Sequence, residues 1–78
     1  MRVHYSFSVS RFLRSLGQDG AELRRVVESL LKSPYPEWAR KLPDRPGHYE
    51  FFSAGYWVIY EVSTGGSETV VRVLVIEE

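Results

Sequence analysis

The stretch that decides the fold is GHYEFFSAGYWVIYEV, residues 47–62. It reads as two strands, 48–53 and 56–63, joined by the tight turn Ala54-Gly55, because alternating large apolar residues flank a dipeptide suited to a two-residue hairpin loop. Side chains alternate between the faces of a strand. His48, Glu50 and Phe52 therefore share one face, and Tyr49 and Phe51 the other. In the following strand Tyr56, Val58, Tyr60 and Val62 form the apolar set, leaving Trp57, Ile59 and Glu61 opposite. The face holding Glu50 and Trp57 contains no Lys or Arg within this hairpin.

Outward from the hairpin, residues 68–77 make a third run, nearly all β-branched, as expected for a strand that is central in a sheet or covered on both faces. The turn signal before it is Thr64-Gly65-Gly66. Toward the N-terminus, RVHYSF (residues 2–7) alternates strictly, with Val3, Tyr5 and Phe7 facing the core and Arg2, His4 and Ser6 facing away. Val9, Phe12, Leu13 and Leu16 then recur at helical spacing, with Ser8 or Ser10 as cap and Gly17 as stop. In DGAE, Asp19 and Glu22 have the spacing of a capping box. The stripe Leu23, Val26, Val27, Leu30 and Leu31 follows, with Arg24, Arg25, Glu28 and Lys32 on the wet side. Pro34 and Pro36 end this helix near Lys32 and open an irregular connector to about Pro46.

The predicted order is β-α-α-β-β-β: an α+β arrangement with a helical hairpin packed on one face of a small, mainly antiparallel sheet. With 78 residues, a chain buries only about 60–65% of its unfolded surface, so residues 1–78 are expected to form a single domain around one core. Hydrophobic residues make up 44% and aromatics 14%, which excludes a disordered chain. No cysteine is present, which removes disulfides, thiol nucleophiles and Cys-based zinc sites and suits a reducing cytoplasm. His4 and His48 are too few to hold a metal. No signal-peptide or membrane-length apolar run occurs.

The formal net charge of zero conceals two unlike halves. Residues 1–45 hold nine Lys/Arg against five Asp/Glu, a balance of +4, and residues 46–78 hold one against five, a balance of −4. Any basic surface for nucleic acid must come from the helical half or its connector. Arg40, Lys41 and Arg45 are the candidates at the start of the second strand, with Arg11, Arg14, Arg24 and Arg25 as an alternative helical stripe; the competing reading is a solvated loop and an ordinary wet helix face. His48 and Glu50, about 7 Å apart at Cα on one strand face, are the candidate acid/base couple. Phe52 and Trp57 are candidate anchors for a partner, unless the connector or the C-terminus covers them. Tyr5, Tyr49, Tyr56 and Tyr60 read as packing residues with phenolic tips at the rim, and Tyr35 as a freer residue of the connector.

The sequence resembles the RelE/ParE superfamily of toxin–antitoxin toxins, its RelE branch in particular. The likeness runs through VHYSF, the helical hairpin ending LKSP, RKL before the second strand, HYEFFSAGYWVIYEV and the last hydrophobic strand. Members of the RelE branch cleave messenger RNA in the ribosome with Lys and Arg on the open sheet face, cations that stabilise the developing charge of phosphodiester cleavage. Against the family pattern Y-K-x-K … G-Y-R-h-h-Y, where h is hydrophobic, this chain carries Glu50 and Phe52 in place of lysines and Trp57 in place of the arginine. It ends Ile76-Glu77-Glu78 where a basic residue is common. The resemblance thus implies a cytoplasmic, cofactor-free toxin-like protein that binds a cognate antitoxin and has a degenerate or altered interferase face. The alternatives are an active ribosome-dependent endoribonuclease working through Arg40, Lys41, Arg45 and His48 on ribosome-bound messenger, and a gyrase inhibitor of ParE type.

Overall fold

A computed structural model describes residues 2–65 and 68–78. Its elements are β1 (Arg2–Tyr5), α1 (Phe7–Ser15), α2 (Gln18–Ser29), β2 (Arg40–Lys41), β3 (His48–Ser53), β4 (Tyr56–Ser63) and β5 (Val70–Glu77). The strands lie in the order β1-β5-β4-β3-β2. β1 runs parallel to β5, and every other neighbouring pair is antiparallel. The α+β arrangement expected from the sequence is therefore present, with β5 inside the sheet.

The β3–β4 hairpin follows the alternation of its sequence. Ser53 pairs with Tyr56 across the turn, and Ala54 and Gly55 both take positive φ, 54° and 87°. A two-residue turn with φ positive at both positions matches the right-handed twist of the flanking strands. Phe51, Val58 and Tyr60 point into the core, where Val71 and Val73 of β5 meet them. From above, α1 contributes Val9 and Leu13, and α2 contributes Leu23 and Val27, with Leu30 just beyond it.

Several boundaries differ from the sequence-based expectation, each for a local reason. Helix α1 begins at Phe7, capped by Ser6, whose hydroxyl accepts from the Val9 N–H at 3.2 Å; neither Ser8 nor Ser10 is the cap. Phe7 is consequently not a core residue of β1 but the first helical residue, 75% exposed. Helix α2 is preceded by Gly17 at φ 60° and ψ −120°, with no side-chain cap bond. Asp19 thus sits inside the first turn, where a carboxylate complements the helix dipole without closing a capping box. The last turn of α2 tightens to i→i−3 bonds, Leu30 N–H to Val27 O at 3.0 Å and Leu31 N–H to Glu28 O at 3.1 Å, so the regular helix stops at Ser29.

The sequence pattern did not single out β2, which is only two residues long, Arg40 facing Glu50 and Lys41 facing Tyr49. β5 starts at Val70 instead of residue 68. It also carries an extra residue, since Ile59 pairs with Val75 and Tyr60 with Val73, leaving Leu74 as the bulge. Part of the proposed turn before β5, at Gly66, lies outside the described residues.

Two close contacts set the helical layer and the connector. A methyl group at Gly20 would stand 2.1 Å from the Leu13 carbonyl oxygen, so the helices approach more closely than any side chain at residue 20 allows. The connector folds under the sheet edge on the core side. Tyr35 packs on Tyr49 with ring centroids 5.2 Å apart, Trp38 meets Phe51 edge-on at 5.1 Å, and Tyr49 stacks on Tyr60 at 5.6 Å. The Tyr60 hydroxyl donates to the Pro34 carbonyl at 2.9 Å.

Gly20→Ala should destabilise the protein by about 1–3 kcal/mol through overpacking, although alanine is the better helix former by about 1 kcal/mol; a raised melting temperature would show that the helices do not meet this closely. Tyr60 supplies a second expectation. Burial pushes its hydroxyl well above the ordinary range, with the neighbouring Tyr49 and Tyr35 adding to the shift. In the unfolded chain this group ionises near pH ~10. Above that pH the unfolded state loses a proton that the native state keeps, so stability must fall as pH rises. Tyr60→Phe should cost about 1–3 kcal/mol at neutral pH, by leaving the Pro34 carbonyl without its donor. It should also flatten the alkaline decline, as read from urea midpoints up to about pH 11.

Candidate functional site

With the helices and the connector both on one side, the other face of the sheet is bare. The register arranges its side chains in rows. Phe52, Trp57 and Glu77 make the first row across β3, β4 and β5. Arg40, Glu50, Ile59 and Val75 make the second, and His48, Glu61, Arg72 and His4 the third.

The first row is aromatic and open. Phe52 is 57% exposed and Trp57 41%, their ring centroids 5.1 Å apart in an edge-on pair. Val75, 38% exposed, and half-buried Ile59 extend the patch into the second row. Neither the connector nor another described segment covers it, so of the readings open for Phe52 and Trp57, the one that buries them is excluded for the described residues.

Both candidate acid/base residues lie on this face, but each has another partner. Glu50 takes a charge-assisted hydrogen bond from Arg40 Nε at 3.0 Å and a second contact from Arg40 Nη2. The carboxylate is largely covered while the guanidinium remains in solvent. His48 approaches Glu61 instead, its Nε2 3.7 Å from Glu61 Oε2. The other oxygen of Glu61 is 3.7 Å from Arg72 Nη1. His48 Nδ1 lies 3.1 Å from the Pro46 carbonyl, which can only accept, so a hydrogen bond there has Nδ1 as the donor.

Glu61 and Arg72 were not among the candidates read from the sequence. Alternation does place Glu61 on this face, but the match to Arg72 requires the β4–β5 register. Arg40 joins the face through β2. Lys41 stands opposite Tyr49 and is exposed, and Arg45 lies in the exposed turn before β3; among the described residues neither forms an ion pair with the His48 cluster. On the helices, Arg24 lies over the Tyr5 ring at 5.2 Å and Arg11 over Phe7 at 5.8 Å. Burial raises the Tyr5 hydroxyl, with Arg24 opposing the shift and Glu28 adding to it. Among the described residues, no three His, Asp or Glu side chains converge to hold a metal ion, and no helix is long and apolar enough to cross a membrane.

The whole is a helical hairpin on one side of a five-stranded, mostly antiparallel sheet, with the other side open. No family model and no curated protein matches the sequence, but solved structures match the fold. The chain is similar to the YoeB/ParE toxin from Agrobacterium tumefaciens with a TM-score of 0.77 at 16% identity, over 99% of this chain and 97% of that one. It is also similar to an arginine-to-alanine double mutant of the E. coli toxin RelE in the free state. There the TM-score is 0.75 at 25% identity, over 97% of this chain and 80% of that one. The protein thus has the fold of RelE and YoeB/ParE toxins over nearly its whole length.

If the first-row aromatics are surface residues, replacing both Phe52 and Trp57 by alanine should cost only about 1 kcal/mol, the scale of a cross-strand aromatic pair. Phe51→Ala should cost about 3–5 kcal/mol, since that neighbour fills the core. Equal losses in denaturant titrations would mean that the patch is covered in solution.

Proposed function

We propose that this chain is a toxin-like component of a toxin–antitoxin system that binds a cognate antitoxin, and that its open sheet face is an altered interferase face now suited to contact. The observation that carries the reading is the content of that face. Glu50, Phe52 and Trp57 stand where the resembling pattern has Lys, Lys and Arg, and the aromatic pair is exposed. The two arginines nearest the patch are both held by carboxylates, Arg40 by Glu50 and Arg72 by Glu61. Cleaving a phosphodiester requires cations free to meet the charge that grows on phosphorus, and an exposed aromatic pair in a desolvatable patch is what a protein contact uses.

One observation favours a second reading, an active ribosome-dependent endoribonuclease. Glu61 stands between the His48 imidazole and the Arg72 guanidinium, a set able to accept a proton from a 2′-hydroxyl, return one to the leaving oxygen and stabilise an anion.

Cell-free translation with the purified protein separates the two, with co-expression beside the product of a neighbouring gene as the binding assay. The expected result is unchanged protein yield, intact messenger and co-purification of the neighbour, with co-purification weakened by Trp57→Ala. Messenger cuts that appear only with ribosomes, and fall about 10²–10⁴-fold in Glu61→Gln, would establish the second reading instead.

A further inference from the structure

We infer that the segment seated on the open face is cationic: a peptide in which Arg or Lys alternates with aliphatic side chains, one cation lying against the Trp57 indole beside Glu77. This rests on the toxin–antitoxin reading and deepens it by assigning the chemistry of the partner. Phe52, Trp57, Ile59 and Val75 form a continuous apolar floor across three strands. Such a floor takes aliphatic side chains. Glu77, the cross-strand neighbour of Trp57, gives it an acidic border, while Glu50, the neighbour of Ile59, is covered by Arg40.

The charge of the surroundings points the same way. Residues 46–78 carry one Arg against five Glu. That one cation, Arg72, is engaged by Glu61, and Arg40, which the connector supplies, is engaged by Glu50. Among the described residues none forms an ion pair with Glu77, leaving its carboxylate available beside an indole. An indole face and a carboxylate together make a binding place for a guanidinium or ammonium group, through the ring quadrupole and Coulomb attraction. Single-stranded RNA could stack bases on Trp57 and Phe52, but its phosphates would then run past Glu77. Like charges brought together across an interface are strongly unfavourable, so the peptide is the occupant the face fits.

The probes are three: a short peptide of alternating Arg and Leu, its counterpart of alternating Glu and Leu, and a short single-stranded RNA. The readout is the pair of indole N–H resonances of the intact protein, with that of Trp57 assigned by Trp57→Phe. The Arg/Leu peptide should shift the Trp57 signal and spare that of Trp38. Glu77→Lys should weaken binding about tenfold, the effect of reversing a charge at a binding patch. Trp57→Ala, followed by calorimetric titration because the reporting indole is gone, should abolish binding, and the helix-surface control Glu22→Lys should leave it unchanged.

Equal or tighter binding of the Glu/Leu peptide or the RNA would overturn the inference. So would the absence of binding by the Arg/Leu peptide, a shift confined to Trp38, or indifference to Glu77→Lys. A cognate antitoxin that co-purifies while the Arg/Leu peptide stays inert would sink this inference alone. A bound Arg/Leu peptide with no antitoxin in any co-expression would sink the toxin–antitoxin reading and leave the cation-accepting face standing.

Discussion

The hydroxyl of Tyr60 donates to the Pro34 carbonyl at 2.9 Å from a ring that is itself wholly buried, and that bond ties the connector to the side of the sheet the helices cover. A phenol buried among hydrocarbon needs an acceptor, and the connector supplies one because two prolines keep its carbonyls from closing a helix. Once Pro34 is tied beneath β4, Tyr35 and Trp38 fall onto Tyr49 and Phe51. The irregular stretch therefore thickens the layer the helices already form. Had it crossed to the other side, Phe52 and Trp57 would be ordinary core residues.

The open face is closed electrostatically where it is open sterically. Its carboxylates at Glu50 and Glu61 each engage an arginine, and His48 is oriented by Pro46 and faces Glu61. Exposed pairs of this kind add little to stability, about 0–1 kcal/mol each. Their consequence is for recognition. An arginine already bonded to a carboxylate must give up that partner before it can hold a phosphate.

Much of this was legible in residues 47–62. Strict alternation assigned Phe51, Val58 and Tyr60 to the core and Glu50, Phe52 and Trp57 to the opposite face, because a period of two leaves no other solution. Failures came where a single local bond outweighs a periodicity. Phe7 continues the alternation of β1, yet Ser6 caps a helix and takes Phe7 with it. β2 is too short to show any period, so the Arg40–Glu50 pair could not be read from the sequence. The union of Glu61 with His48 and Arg72 depends on two registers, one of them interrupted by the Leu74 bulge. Registers are properties of strand pairs and do not appear in either strand alone.

The same backbone can host opposite surfaces because its core and its open face are drawn from alternate residues. Glu50, Phe52 and Trp57 occupy no core position, since each points away from the helices. Similar structures at 16% and 25% identity are therefore no guide to the charge of this face. Cleavage requires uncompensated cations and a proton acceptor within reach of a ribose hydroxyl. Holding a protein segment requires apolar area that can shed water and a charged border that rejects the wrong partner. On this chain the apolar area lies across Phe52 and Trp57, the border beside it is acidic, and the nearest cations are already engaged. The proposed binding role rests on the second set of requirements.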